Sequence, residues 1–187
     1  MDANCLQPLV TAMEQDKTIG LAQSLLLLFP ETEYINTSGN VFHYLGFGYC
    51  NNYRTPLKDF GGPAVRDINY GSGAGLMVSA ATVRAWGMWD NDFFLYHEDL
   101  EWALRLRVAG YRVVMVKDSL FYHKYQFSRS VQKFYWMERN RYAILLMFFR
   151  LPTLILLLPM LLVLEVGLWL FAIKHGWVEE RIKLYKY

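Results

Sequence analysis

The spacing of apolar residues predicts a helix followed by a buried strand at the start of the chain. Between residues 5 and 15 the apolar positions recur at intervals of three and four: Leu6, Leu9, Val10 and Met13. This spacing is typical of an amphipathic helix, with Asn4 as its N-cap. Ile19–Phe29 is an almost continuous apolar run that ends before Pro30. Such a run favours a strand buried on both faces.

Residues 31–71 show no periodicity and are rich in Gly, Asn, Tyr and Pro, which predicts a long, ordered loop region. The turn Gly71–Gly75 leads into a predicted buried strand, and Ala81–Trp86 predicts a short helix that ends at Gly87.

Residues 98–109 give the clearest helical pattern. Its apolar stripe is Leu100, Leu104 and Val108, with Glu101 and Arg105 as a surface pair and Gly110 as the stop. Tyr111–Val116 predicts a β-branched strand and Ser119–His123 a second one. The alternation of helices and strands predicts an α/β sandwich.

The pattern changes from Gln132 onward. Residues 134–150 predict a helix that is apolar on one side, and 151–173 form an apolar stretch with a single charge, Glu165, and a central proline, Pro159. The stretch is long enough to span a bilayer. A mid-depth carboxylate costs about 2.5–3.5 kcal/mol there, so a pair of helices lying in one leaflet is the other interpretation. Both predict a tail that contacts membrane.

Composition changes this picture in four respects. Apolar residues make 54% of the chain and charged residues 19%, and the apolar excess collects after residue 140. The net charge of +2 gives no indication of a nucleic-acid partner. Two basic clusters flank the apolar stretch and suit anionic lipid headgroups. Cys5 and Cys50 form no CxxC motif, which favours a reduced, cytoplasmic setting.

The candidate chemistry lies in residues 90–102, where acidic residues, a histidine and large aromatic residues precede the predicted helix. Acidic residues in the first turn of a helix are commonly there because they interact favourably with the helix dipole. That interpretation of Glu98 and Asp99 stands beside a catalytic one.

The order of motifs resembles the family-2 glycosyltransferases with the GT-A fold, in particular rhamnosyltransferase-like members. The matching residues are Gly73–Met77, Trp86–Asp90, Phe93–Asp99, Arg105, Ala109–Val114, His123 and Glu138–Arg141. The resemblance covers essentially the whole chain. It implies a partial GT-A (Rossmann-like) mixed sheet with packed helices, which forms the acceptor-side half of the domain in residues 1–130. Apolar membrane-associated helices follow in residues 131–187.

The resemblance also implies roles for particular residues. Asp99 corresponds to the general base of an inverting transferase, with Glu98 beside it in the acceptor site, and His123 corresponds to a ligand of Mg²⁺ or Mn²⁺. The turn Gly73, Ala74 and Gly75 brings amides to the acceptor or diphosphate, or serves only as a tight entry to a strand. The remaining candidates for substrate binding, each with a structural alternative, are Trp102, Arg105, Arg139 and Arg141.

The expected partners are a nucleotide sugar donor, a glycan or lipid-linked acceptor, and the cytoplasmic face of the cell membrane. The family's DxD metal motif, expected before Asp2, is absent from this sequence. We therefore expect a fragment that lacks the donor-binding half and is inactive alone. Two alternatives stay open: a non-catalytic module that binds glycan or a partner subunit, and a small integral membrane protein whose acidic cluster binds a cation or partner.

Overall fold

A computed structural model describes residues 4–124 and 132–186 of the chain. It divides into two compact units. Unit 1 comprises the residues up to Phe42, Gly48–Asp90 and the chain from Asp99 to residue 124; unit 2 comprises His43–Phe47, Asn91–Glu98 and residues 132–186. The predicted boundary between residues 130 and 131 lies outside the described residues.

Unit 1 is built on a mixed sheet. The strands of the chain are β1 (Ile19–Leu28), β2 (Ile35–Thr37), β3 (Asn40–Phe42), β4 (Gly48–Cys50), β5 (Val65–Asp67), β6 (Leu76–Val78) and β7 (Arg112–His123). β1 runs parallel to β7, with Leu28 opposite His123. β2 and β6 pair antiparallel with β1, and β5 pairs antiparallel with β7. β3 and β4 form a separate antiparallel pair. The predicted mixed α/β sheet is confirmed.

The core of unit 1 lies around β1, whose ten residues are all buried. Helix α1 (Leu6–Gln15) packs on β1 and β7, and its Leu9 and Ala12 join the apolar cluster there. Full burial of a leucine side chain such as that of Leu9 stabilises the folded state by about 1.5–3 kcal/mol. The polar residues of β1 are satisfied: Gln23 Oε1 accepts from Ser72 N at 2.7 Å, and Ser24 bonds to Ser119 at 2.8 Å.

Three predictions in unit 1 are corrected. The N-cap of α1 is Cys5, without a side-chain cap, and not Asn4. The 31–71 region holds β2 to β5, because three-residue strands are too short to show periodicity in a sequence. Ser119–His123 is not a separate strand but the second half of β7, which pairs with β1 beyond an irregularity in register.

Helices α2 (Ala80–Trp86) and α3 (Glu98–Val108) form near their predicted positions. Gly87 ends α2, and Ser79 caps its start by accepting from Thr82 N at 3.0 Å. The predicted stripe of α3 holds at Leu100, which is buried, and is wrong at Val108. Val108 is 80% exposed, whereas Glu101 is 1% exposed, so α3 buries the side of Leu100, Trp102, Ala103 and Leu106.

The described part of unit 2 holds the α-helices α4 (Gln132–Phe148), α5 (Leu151–His175) and α6 (Val178–Leu184), and a 3-10 helix at Asn91–Phe93. α5 continues through Pro159 and ends at Gly176, which has the left-handed conformation. α6 packs against α4 and α5. Among the described residues, α5 is the one helix long and apolar enough to cross a membrane. Its placement relative to a membrane stays a prediction.

Candidate functional site

The predicted base Asp99 is held by backbone N–H groups within unit 1. Its Oδ2 accepts a hydrogen bond from Gly73 N at 3.1 Å, and its Oδ1 accepts one from Leu100 N at 2.8 Å. Hydrogen bonds from N–H groups to a carboxylate are charge-assisted and favour the ionised form. The structure thus brings together two predicted site elements, the glycine turn and the start of α3.

The three glycines of the turn have different surroundings. A Cβ on Gly71 would lie 2.4 Å from Leu76 Cδ2, and one on Gly75 would lie 2.8 Å from Leu26 Cδ2. Such distances require close packing without a side chain. A Cβ on Gly73 would meet only Trp89, at 3.9 Å. Gly71 and Gly75 therefore serve packing, while the space beside Gly73 is open.

Trp102 and Arg105 brace the loop that follows α2. Arg105 binds both carboxylate oxygens of Glu101, at 2.9 Å each, and donates to the carbonyls of Trp86 and Met88. Trp102, 2% exposed, donates from Nε1 to the carbonyl of Gly87 at 3.1 Å. Glu101–Arg105 is thus a half-buried bidentate pair and not the predicted surface pair. The predicted substrate contacts of Trp102 and Arg105 stay predictions.

His123 lies at the end of β7, where its Nδ1 is 3.0 Å from Asn36 Oδ1. An amide oxygen accepts only, so Nδ1 carries the proton and Nε2 has the lone pair that a metal would bind. Burial lowers the pKa of His123 and keeps the ring neutral near pH 7. A neutral, oriented imidazole suits Mg²⁺ less than Mn²⁺.

A complete metal site is not formed within the described ranges. Residues 4–124 and 132–186 contain no group of three or more His, Cys, Asp or Glu side chains that could hold an ion. His123 fits the role of one ligand among several, and the described residues do not supply the others.

In unit 2, the segment before Glu98 is a tight, unusual turn. Tyr96 and His97 have φ values of +62° and +64°, in the left-handed region that residues other than glycine rarely adopt. Asn140 of α4, fully buried, donates from Nδ2 to the carbonyls of Leu95 and Tyr96 at 3.0 and 2.6 Å. Asn140 therefore holds the turn from which α3 starts.

His97 is a neutral structural residue in this turn. Its Nε2 lies 3.2 Å from the carbonyl oxygen of Gly46, and its Nδ1 is buried and meets no hydrogen-bond partner within residues 4–124 and 132–186. Burial lowers the pKa of His97 to about 4, and the neighbouring Arg141 contributes in the same direction.

The carboxylate of Asp99 accepts backbone hydrogen bonds, whereas the carboxyl group of Glu98 lies in a buried environment that disfavours its charged form. Burial raises the pKa of Glu98, and its Oε2 is buried with no hydrogen-bond partner among the described residues. A carboxyl group with a raised pKa is a candidate for proton transfer. Asp99 and Glu98 are adjacent in the sequence, but their carboxyl groups belong to different units and have different surroundings.

The two arginines of the Glu138–Arg141 run are buried in unit 2. Arg139 donates to the carbonyl of Asp92 and lies over the ring of Trp136. Arg141 binds Glu138 at 2.8 Å and donates to the carbonyl of Leu45 at 3.2 Å. Both were predicted to meet diphosphate or headgroups. Here they organise unit 2, and any contact with phosphate stays a prediction.

Sequence reasoning missed Asn140, Asn36 and Gly46. Asn140 could have been found, since an amide between two arginines in an apolar helix is unusual. Asn36 and Gly46 gave no signal, because Asn36 lies 87 positions from His123 and Gly46 lies 51 positions from His97.

Comparison with protein families identifies the class. The family model for glycosyl transferase family group 2 matches residues 1–177. The chain belongs to this family. No curated protein matches it.

Comparison with solved structures supports the fold. Among 41 matching chains is the crystal structure of GalNAc-T7 with UDP, GalNAc and Mn2+. Its TM-score to this chain is 0.51 at 13% identity, over 72% of this chain. The match spans only 29% of that structure's chain. The chain has the GT-A type of mixed α/β fold, as the sequence predicted.

Proposed function

We propose that the chain forms the acceptor side of an inverting glycosyltransferase. It would transfer a sugar from a nucleoside diphosphate sugar to a hydroxyl group of a glycan or lipid-linked acceptor. The observation that carries this proposal is the carboxylate of Asp99, held by Gly73 N–H at the start of α3 in a member of the family. Its ionised form is the one that accepts a proton.

In the proposed step, Asp99 takes the proton of the acceptor hydroxyl as the acceptor oxygen forms a bond to the sugar's C1. The bond from C1 to the diphosphate oxygen breaks on the opposite face, and its electron pair leaves with the diphosphate. Proton transfer of this kind contributes about 10²–10⁴-fold to rate. The open space beside Gly73 supports this placement, because it leaves room next to the carboxylate.

A bound Mn²⁺ or Mg²⁺ would offset the charge of the leaving diphosphate. The GalNAc-T7 structure was solved with Mn2+ and UDP. His123 is the described residue that we propose as a ligand, and Asn36 would fix the tautomer that presents Nε2.

The test compares Asp99→Asn with Asp59→Asn, which makes the same change at an exposed acid of the same unit. Because the chain is expected to be inactive alone, each variant is made in a version of the enzyme that restores the donor-binding half. Membranes from cells producing it are assayed with a panel of nucleoside diphosphate sugars and a metal titration. We expect turnover to fall about 10²–10⁴-fold for Asp99→Asn, with donor KM little changed. Asp59→Asn should keep its activity, and near-normal turnover of Asp99→Asn would remove Asp99 from the mechanism.

A fold control separates catalysis from structure. Asn at position 99 keeps one oxygen, which can accept from Gly73 N or from Leu100 N but not from both. Its stability in thermal unfolding should therefore fall by only about 0.5–1.5 kcal/mol. Loss of folding would return Asp99 to the role of a helix N-terminal carboxylate. If the version with the restored donor-binding half transfers no sugar from any donor yet retains glycans, the non-catalytic module is the better interpretation.

We also propose that the chain works at the cytoplasmic face of the cell membrane. The apolar length of α5 and the basic residues at both of its ends support this. The full chain should sediment with membranes and require detergent for release. A monomer that stays in solution without detergent would contradict the proposal.

A further inference from the structure

We infer that α5 docks on the bilayer by its side, within the interface of one leaflet, and does not cross it. The partner is the surface of a bilayer that contains anionic lipids. The inference rests on the proposed membrane association and is independent of the proposed chemistry.

The exposed side of α5 is apolar along the whole helix. Side chains that are more than 60% exposed occur in every part of it: Leu151, Leu156, Val163, Leu170 and Ile173. At 1.5 Å per residue they form a strip about 33 Å long. An exposed apolar strip of this length exceeds the patches that soluble monomers carry. A bilayer would cover it.

The other side of α5 carries a charge near its middle. Glu165 accepts hydrogen bonds from Tyr142 of α4, from Arg181 of α6 and from Tyr185. Arg181 is fully buried and lies 3.5 Å from Glu138. If α5 crossed a bilayer, Glu165 would lie close to mid-depth, and the side chains bound to it would have to lie at that depth too.

Helix α6 makes a crossing still less favourable. Since Gly176 reverses the chain and Arg181 reaches Glu165, α6 lies beside the second half of α5. α6 and the residues after it expose three charged side chains: Glu179, Lys183 and Lys186. A crossing would place these charges in hydrocarbon, where each lowers insertion about 100-fold. Docking by the side leaves them in water.

The two ends of α5 suit the headgroups of a single leaflet. Arg150, before its first residue, and Lys174, in its last turn, are both exposed. They lie about 36 Å apart along the helix. In the docked arrangement both reach the same layer of anionic headgroups, each strengthening binding about five-fold.

The experiment determines whether both ends of α5 face the same side of a membrane. Arg150→Cys and Lys174→Cys are made separately in the full chain, with Cys5 and Cys50 replaced by serine. The chain is added to preformed vesicles of phosphatidylcholine and phosphatidylglycerol, and a membrane-impermeant maleimide is applied outside. We expect both cysteines to react equally in intact vesicles, with no gain on permeabilisation. Protection of either end until permeabilisation overturns the inference.

Charge variants test the lipid chemistry. Arg150→Gln and Lys174→Gln should each weaken vesicle binding about five-fold, whereas Lys58→Gln, an exposed lysine of unit 1, should change it little. Equal binding to vesicles without phosphatidylglycerol would contradict the anionic partner. No binding to any vesicle overturns the membrane association itself. A dimer that forms in solution and shields α5 would show that a second copy is the partner.

Discussion

Unit 1 and unit 2 bury charged residues to different extents. In unit 1 the core is mostly apolar: every residue of β1 is buried, and the ion pair Arg112–Asp67 lies at the surface. In unit 2 the charged residues Glu138, Arg141 and Arg181 are buried beside apolar ones, while α5 exposes apolar side chains along its length. The same chain thus contains an ordinary apolar core and a second one that buries charged and apolar residues together.

The difference indicates what holds each unit together. Unit 1 depends on the burial of apolar surface. Unit 2 depends in part on a network in which Glu138 and Glu165 pair with Arg141 and Arg181, since an unpaired buried charge would be costly. This network joins α4, α5 and α6, and it leaves the apolar side chains of α5 outward.

The largest difference in stability between the two units is expected when a buried positive charge is removed from unit 2. Arg181→Met leaves Glu138 and Glu165 without this partner in the interior, which should cost about 3–5 kcal/mol. Hydrogen exchange in mild detergent should show faster exchange of α4 and α6. The matched change in unit 1, Arg112→Met, breaks surface pairs with Asp16 and Asp67 and should change stability far less. Equal losses would refute the contrast between the units.

The second contrast concerns pH. The pKa of His97 falls from 6.5 in the unfolded chain to about 4 in unit 2. Between pH 6.5 and pH 4 the unfolded chain therefore binds the extra proton, and stability falls as the pH falls. The loss amounts to about 3 kcal/mol across this window. Urea unfolding at several pH values should show that His97→Gln removes this part of the dependence.

His123→Gln provides the matched control in unit 1. Burial also lowers the pKa of His123. His123→Gln should therefore also weaken the loss of stability at acid pH, but by less than His97→Gln does. A profile for His97→Gln that parallels the wild type would show that His97 is protonated as easily in the folded state as in the unfolded one.

The smallest contrast uses two glycines. Gly46 in unit 2 has φ +92°, and a Cβ there would lie 2.5 Å from Arg141 Cγ. Gly46→Ala should cost about 1–3 kcal/mol. Gly61 in unit 1 has nothing within 4 Å of an added Cβ, so Gly61→Ala should stay within about 0.5 kcal/mol. Thermal unfolding of both variants in detergent measures the difference in stability. If Gly46→Ala leaves the stability unchanged, Arg141 moves aside freely.

Much of unit 1 could be predicted from the sequence, because its signals are local. The apolar run of β1, the glycine after α2 and the spacing of α3 each depend on neighbouring residues. The buried side of α3 could not be predicted by counting apolar residues. Glu101 is buried because Arg105 binds it bidentately, while Val108 meets solvent. Counting apolar residues therefore misplaces both positions, because the charged Glu101 is buried in an ion pair and the apolar Val108 is exposed.

Unit 2 and the site were less predictable, since their contacts join distant residues. Asp99 and Glu98 were both candidates from the sequence, but nothing local indicated that Gly73 would hold Asp99. The bonds from Asn140 to the turn at Tyr96 span 44 positions. The continuation of α5 through Pro159 was also not evident.

The pairing of β1 with β7 also bears on how the chain folds as it is synthesised. β1 ends at Leu28, and its parallel partner is complete only at His123. At 5–20 residues per second, the ribosome needs roughly 5 to 20 seconds to make the residues between them. For that time a ten-residue apolar strand has no partner on one edge, and exposed strand edges of this kind pair with other chains. We therefore expect the nascent chain to depend on chaperones until β7 emerges, and a ribosome stalled before residue 112 to hold an aggregation-prone product.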